Sequence, residues 1–135
     1  MPMLRIREAA ELLGVSDDTV RRWVNQGMLT AEHDDSGRKV IAGDVLAEFW
    51  RSNAPAAPAN PLGVRSSARN HFAGLVTRVV ADSVMAQVEL QCGPHTVVSL
   101  MSAEAVRELK LEPGSIAVAA VKATAVIVEV PETTN

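Results

Sequence analysis

The sequence predicts a two-domain α+β protein with a helical first half and a β-rich second half. Apolar residues recur at helical spacing up to about residue 52, and they alternate with polar residues from about residue 72 onward. Between the two patterns, residues 53–65 are rich in Pro and Ala and offer little apolar surface to bury. The predicted domains are therefore residues 1–52 and 66–131, joined by a linker at 53–65. Domains of about 60 residues are marginal alone, and oligomerisation is a common remedy.

Two short helices separated by a tight turn open the first domain. Six apolar residues are spaced to form one face of the first helix, which Gly14 ends: Leu4, Ile6, Ala9, Ala10, Leu12 and Leu13. The second helix is predicted over residues 17–26, with Ser16 or Asp17 as its N-cap and Gly27 at its end.

A hairpin and a third helix complete the first domain. Residues 30–41 carry a polar tip, Asp34-Asp35-Ser36-Gly37, whose composition is typical of a β-turn. Residues 44–51 follow as an apolar helix. A helix, a tight turn, a second helix and a hairpin together predict a winged helix-turn-helix.

Five strands and one helix are predicted in the second domain. Alternation and turn residues place the strands at 72–80, 84–91, 95–101, 115–121 and 125–130. Ser102 caps a short helix over residues 103–109. This set closes naturally into a five-stranded OB-like β-barrel with one short helix.

Composition excludes several classes of protein. The formal net charge is −3, so DNA binding would need a local basic face, and residues 1–53 contain seven Arg and Lys against nine Asp and Glu. With one cysteine, Cys92, and no long apolar segment, we expect a cytoplasmic protein without a disulfide or membrane span. No paired carboxylates, activated nucleophile or phosphate loop indicates an enzyme. The scattered His33, His71 and His95 predict no metal site.

The second helix is the predicted DNA-reading element, because in this geometry its exposed side chains meet the major groove. Arginine can bond guanine, and Arg, Thr and Asn can hold phosphates. The alternative is that Arg21 and Arg22 form solvated ion pairs and the domain docks a protein. The predicted DNA-contacting residues are Ser16, Thr19, Arg21, Arg22, Asn25, Arg38 and Lys39.

Two segments resemble the helix-turn-helix of the MerR and excisionase family. They are LRIREAAELLGVS at residues 4–16 and TVRRWVNQG at residues 19–27, and the resemblance covers about residues 4–51. It implies a MerR-like winged fold, double-stranded DNA as the partner, and DNA contact by Arg21 and Arg22. The sequence departs from the pattern at Asp17 and Asp18, where acidic groups would repel phosphate.

Hydroxyls, an amide and two cations mark the second domain as suited to a tetrahedral dianion. Such a ligand needs many N–H and O–H donors and one or two positive charges. Ser67, Arg69 and Asn70 precede the first strand, Lys122 and Thr124 follow the fourth, and Ser102 lies at a helix start, where free N–H groups favour an anion.

The second domain resembles a molbindin (Mop) domain over residues 66–130. The motifs that carry the resemblance contain the same residues, and they are SARN at 67–70, SLMS at 99–102, LEPG at 111–114 and KAT at 122–124. The resemblance implies an OB-like barrel that binds molybdate or tungstate at subunit interfaces, with the first strand shared between partners. Arg69 has an interface ion pair as its alternative role, and Asn70 a structural one. The sequence lacks the glycine common in the first hairpin, at residues 81–84. The predicted oxyanion-binding residues are Ser67, Ala68, Arg69, Asn70, Ser102, Lys122, Ala123 and Thr124.

Together the two domains predict a molybdate-responsive transcriptional regulator with no organic cofactor. Interfacial sites require at least a homodimer, and a trimer-based hexamer agrees with the resemblance. The alternative is a molybdate storage or buffering protein whose helix-turn-helix serves docking.

Overall fold

The computed structural model describes residues 2–132, in which residues 2–56 and 57–130 belong to two different compact units. Residues 54–69 contain no helix or strand. Among the described helices, none combines the length and the apolar character that crossing a bilayer requires.

The N-terminal unit has three helices and three short strands. The elements are β1 Met3–Arg5, α1 Ile6–Leu13, α2 Asp17–Asn25, β2 Glu32–His33, β3 Lys39–Ala42 and α3 Gly43–Asn53. The strands form a small antiparallel sheet of order β1-β3-β2. Leu4, predicted to belong to the first helix, lies instead in a strand, because the backbone before Ile6 pairs with β3, with Leu4 opposite Ile41.

Local chemistry sets the ends of α1 and α2. Gly14 takes a φ of +70° after α1, a conformation that glycine adopts without steric cost. Ser16 Oγ then caps α2 by accepting a hydrogen bond from the Thr19 N–H at 3.1 Å. The helices bury one core: Ile6, Ala9, Ala10, Val20, Leu29, Ile41, Leu46 and Phe49.

The C-terminal unit is a curled antiparallel sheet of four strands with one helix. The elements are β4 Asn70–Ala81, β5 Met85–Cys92, β6 His95–Ser102, α4 Ala103–Leu109 and β7 Ile116–Val121. The strands lie side by side in the order β6-β5-β4-β7. The predicted strands and helix lie within one or two residues of their expected positions, except for the last strand.

The strand β4 pairs with two different neighbours along its length. From Asn70 to Leu75 it pairs with β7, and from Leu75 to Ala81 with β5. The register shifts between Val76 and Arg78, where β4 carries an extra residue. Such a bulge bends a strand and increases its twist.

The predicted fifth strand, at residues 125–130, does not form within the described chain. Residues Ala123–Ala125 make a single 3₁₀ turn, and the residues that follow pair with no strand. A strand needs a neighbour for its N–H and C=O groups, and this turn ends the pairing of β7 at Val121. Ile127 and Val128 consequently remain 84% and 83% exposed.

The inner face of the curled sheet is apolar but open. It buries Val76, Val88, Leu90 and Cys92. Beside them lies a cavity of about 450 Å³, lined by the two edge strands β6 and β7 among others. A sheet with unpaired edges and an open interior can bind a further strand.

Gly74 lies where β4 and β5 approach each other closely. A Cβ at this position would collide with the backbone of Gln91 and would lie 2.7 Å from Cys92 Sγ. Residue 74 faces the interior opposite Ala117. The strands can therefore approach this closely only because residue 74 has no side chain.

We expect Gly74→Ala to destabilise the protein by about 1–3 kcal/mol, the usual cost of forcing extra volume into a packed site. The measurement is chemical denaturation followed by circular dichroism. Ala73→Gly is the matched control on the neighbouring residue, and it should cost about 0.5–1 kcal/mol through chain flexibility. A Gly74→Ala protein as stable as the parent would contradict this description of the sheet.

Candidate functional site

The structure brings most of the predicted oxyanion-binding residues to one end of β4. Asn70, the first residue of β4, pairs with Val121, the last residue of β7. The segments before β4 and after β7 therefore meet there. This cluster is the Lys122 half-site, and it comprises Ser67, Ala68, Arg69, Asn70, Lys122, Ala123 and Thr124.

Hydrogen bonds order the backbone of the Lys122 half-site. The Asn70 side-chain amide donates to the Val121 carbonyl at 3.2 Å, which ties β4 to β7. The Ala68 N–H donates to Ser66 Oγ at 3.1 Å, and the Ala68 side chain is buried. Asn70 thus has a structural contact at the edge of the half-site.

The two cations of the half-site point to solvent. Arg69 and Lys122 are both exposed. The N–H of Ala125 donates to the Lys122 carbonyl at 2.9 Å, so Lys122 begins the 3₁₀ turn. Two cations on neighbouring backbone segments can bind one dianion with charge-assisted hydrogen bonds.

Ser102 lies apart from these residues, at the end of β6. Its Oγ accepts a hydrogen bond from the Ala105 N–H at 3.0 Å and caps α4. The Ala103 N–H donates to the Val84 carbonyl at 2.8 Å. Two of the first N–H groups of α4 are therefore occupied, and the Ser102 hydroxyl hydrogen can donate to a ligand.

The two parts lie at opposite ends of β4. Ser102 pairs with Met85, and Ala86 pairs with Ala81 at the far end of β4 from Asn70. At about 3.3 Å per residue, the 11 steps from Asn70 to Ala81 span on the order of 35 Å along the strand. Within one chain the structure does not bring Ser102 to Arg69 and Lys122.

The turn beside Ser102 contains a residue that sequence reasoning did not identify. The Asp82 carboxylate accepts hydrogen bonds from the Val84 N–H at 2.7 Å and the Met85 N–H at 2.8 Å. These two bonds, from Met85 first and Val84 second, hold the pKa of Asp82 below its ordinary value. An Asp at the start of a tight turn is a known signal for such bonds.

In the N-terminal unit, the predicted DNA-contacting residues of α2 occupy its start and its exposed surface. The hydroxyls of Ser16 and Thr19 are 2.9 Å apart and bonded to each other. Arg22 and Asn25 are exposed. Arg21 is exposed too, but its guanidinium lies 3.4 Å from the Asp18 carboxylate one helical turn earlier. An exposed pair of this kind is weak and a phosphate can replace the carboxylate.

The hairpin that joins β2 to β3 has an ordered tip. Asp34 Oδ1 accepts hydrogen bonds from the N–H groups of Ser36 and Arg38, both at 2.9 Å. The bond from the Arg38 N–H is the main reason that the pKa of Asp34 lies below its ordinary value. Arg38 and Lys39 follow this tip with exposed side chains.

The two tryptophans have a structural role. Trp23 packs against Phe49 with ring centroids 5.0 Å apart, and against Trp50 at 6.2 Å. Both contact the core of the N-terminal unit. Cys92 is likewise buried, and its Sγ lies 3.4 Å from the Phe72 carbonyl.

Each unit matches the model of one protein family. Residues 3–54 match a helix-turn-helix domain, and residues 66–128 match a TOBE domain. The helix-turn-helix match contains α1, α2, the hairpin and α3. The TOBE match contains all four strands of the curled sheet and all the predicted oxyanion-binding residues.

Parts of the chain are similar in sequence to molybdenum proteins. The molybdenum transport protein ModE of Herbaspirillum seropedicae is 34% identical over 59% of this chain and 31% of its own length. The molybdenum-pterin-binding protein MopB of Rhodobacter capsulatus is 38% identical over 68% of this chain and 38% of its own length. The chain thus spans about a third of the length of these relatives. The crystal structure of the cytoplasmic molybdate-binding protein ModG with molybdate bound is 38% identical, with a TM-score of 0.50, covering 56% of this chain and 55% of that one.

Proposed function

We propose that this chain, which joins a helix-turn-helix domain to a TOBE domain, binds molybdate or tungstate and uses its N-terminal unit to bind DNA. The observation that carries the proposal is the pairing of Asn70 with Val121, which brings two cations and several hydroxyls to one end of the sheet. The named relatives are molybdenum proteins, in agreement with this ligand. The chain then acts by binding rather than catalysis, in the cytoplasm.

The proposed anion site combines the Lys122 half-site with the Ser102 hydroxyl. Arg69 and Lys122 supply the positive charges, and Ser67 and Thr124 supply hydroxyl donors. Asn70 and Ala123 contribute amide and backbone N–H groups at the edge, and Ala68, whose N–H is bonded to Ser66, orders the backbone beside them. Because Ser102 lies at the far end of β4, its hydroxyl reaches the anion only if a second copy of the chain supplies it.

The surface of the C-terminal unit supports assembly with further copies. Its sheet has two unpaired edges and an open apolar interior. Ile127 and Val128 follow β7 without a partner, and Leu100 and Ile116 on the edge strands are 70% and 65% exposed. Exposed apolar groups of this number favour a protein interface. We infer at least a homodimer, and a trimer-based hexamer is compatible with it. A five-stranded barrel would then be completed between chains.

Molybdate-responsive regulation follows from joining the two domains. An anion that binds one assembly of the barrels more tightly than another shifts the population toward it. The linker at residues 53–65 then sets the distance between the N-terminal domains, residues 1–52. In one assembly that distance matches the two halves of a DNA site, and in the other it does not. In the winged arrangement, Arg38 and Lys39 on the hairpin contact the neighbouring DNA backbone.

The charge of the N-terminal unit favours a second candidate function, molybdate storage with a docking role for the helix-turn-helix. Residues 1–53 carry more acidic than basic groups, and Asp18 partly neutralises Arg21. A storage protein would bind the anion equally well and would show no salt-dependent DNA affinity.

Replacing Arg69 or Lys122 by Ala should weaken molybdate binding roughly tenfold to a hundredfold, since a charge-assisted hydrogen bond contributes about 1.5–3 kcal/mol. Isothermal titration of anion-free protein measures this, with sulfate as the competing dianion of smaller size. Arg78→Ala, which removes an exposed cation from the middle of β4, is the matched control and should bind as the parent does. Unchanged titrations for both test variants would remove these cations from the site.

Replacing Arg21 and Arg22 together by Ala should weaken binding to a mixed-sequence DNA duplex and lower its salt slope by about 1–2, since each phosphate contact contributes about 0.9. Fluorescence anisotropy at several salt concentrations measures both quantities. The double control Arg7→Ala and Arg51→Ala removes the same charge from ion pairs elsewhere in the unit and should have a smaller effect. Equal losses in both double variants would contradict a specific role for α2, and no DNA binding by the parent would favour storage.

A further inference from the structure

The turn between β4 and β5 depends on hydrogen bonds of Asp82. Its Oδ1 accepts from the N–H groups of Val84 and Met85, and its own N–H donates to the Met85 carbonyl at 3.0 Å. Among the described residues other than glycine, only Lys110 has a positive φ, and it lies outside this turn. The turn therefore closes without a residue in the left-handed conformation. The hydrogen bonds to Asp82 thus stabilise a tight turn that in other hairpins depends on the conformational freedom of a glycine.

Beside the backbone hydrogen bonds, the Asp82 carboxylate supplies the side-chain hydrogen bonds that hold this turn in place. Residues 81–85 are all exposed, and Val84 is 67% exposed. No packed core therefore fixes the backbone of the turn, and hydrogen bonds, those to Asp82 among them, restrain it. Removing that carboxylate should free the Val84 carbonyl to move.

The Val84 carbonyl is in turn a contact of the Ser102 segment. It accepts the hydrogen bond from the Ala103 N–H at 2.8 Å, and Met85 pairs directly with Ser102 between β5 and β6. A short chain of bonds thus connects the Asp82 carboxylate to the backbone on either side of the Ser102 hydroxyl.

We propose that Asp82 is a positioning residue that holds the Ser102 hydroxyl in place for the anion. This inference rests on the proposed function, because it assigns Ser102 to the molybdate site. The Asp82 carboxylate does not itself contact the anion. Its charge has the same sign as a dianion, so direct contact would be repulsive.

Substituting Asp82 by Asn or by Ala distinguishes the effect of its hydrogen bonds from the effect of its negative charge. Asp82→Ala removes the acceptor and should weaken molybdate binding by about three- to tenfold, the equivalent of one hydrogen bond at the site. Asp82→Asn keeps an acceptor oxygen and should stay within about twofold of the parent. Ser83→Ala, next in the same exposed turn, is the control and should change nothing. An Asn variant as weak as the Ala variant would overturn the proposal.

A double-mutant cycle tests whether Asp82 acts through Ser102. Ser102→Gly removes the hydroxyl while disturbing the cap of α4 less than Ala would. If Asp82 acts through this hydroxyl, adding Asp82→Ala to Ser102→Gly should cause little further loss of affinity, whereas adding it to Arg69→Ala should multiply the two losses. Multiplied losses in both combinations would overturn the inference and leave the molybdate site itself intact.

Amide hydrogen exchange tests the positioning without any anion. The Ala103 and Ala105 N–H groups should exchange faster in Asp82→Ala than in the parent, and at the parental rate in Asp82→Asn. Unchanged exchange in the Ala variant would overturn the inference even if molybdate binds. Faster exchange in a protein that binds no molybdate would support the ordering of Ser102 and would refute the proposed function alone.

Discussion

The pairing of one strand with two neighbours determines the rest of the C-terminal unit. β4 bonds to β7 over its first half and to β5 over its second half, with the register shift between Val76 and Arg78. Gly74 allows the first half to lie against Gln91 and Cys92. Because β4 is long and curved, its two ends carry different functional groups, the cations at one end and the Ser102 hydroxyl near the other.

Because these groups lie at different ends of β4, a single chain neither completes the proposed anion site nor covers the edges and apolar surface of its sheet. The proposed anion-binding groups lie in two separate places on one chain, and the sheet has two unpaired edges. In the part of the chain that the structure describes, the apolar residues after β7 pair with no strand. A second copy of the chain would supply the Ser102 hydroxyl, a strand edge to pair with and a complementary apolar surface. Ligand binding and assembly would then be linked, and a linked assembly is what a regulator of DNA binding requires.

Much of this architecture can be predicted from the sequence because local signals agree with the final fold. Gly14, Ser16 and Gly27 mark the ends of α1 and α2, and period-two alternation marks β5. The strand at 125–130 was predicted wrongly because its apolar pattern requires a partner that a single sequence does not supply. Leu4 was placed in a helix because three residues are too few to show the alternation of a strand.

The candidate site was predicted less completely than the fold. Motif resemblance gives the residues of the proposed anion site, but no periodicity shows that Arg69 and Ser102 lie at opposite ends of β4, since that depends on long-range register. The role of Asp82 also escaped detection, although Asp at the start of a turn is a readable signal. Similarly, the ion pair between Arg21 and Asp18 depends on side-chain geometry that helical spacing permits but does not require.

The most direct test of a site shared between two chains is subunit complementation. Arg69→Ala and Ser102→Gly copies are unfolded together, refolded, and titrated with molybdate beside each variant refolded alone. If the half-sites come from different chains, each mixed pair regains one intact site, so random pairing restores about a quarter of the parental high-affinity sites. If mixtures bind no more tightly than the separate variants, the two half-sites do not combine across an interface, and the central claim is contradicted.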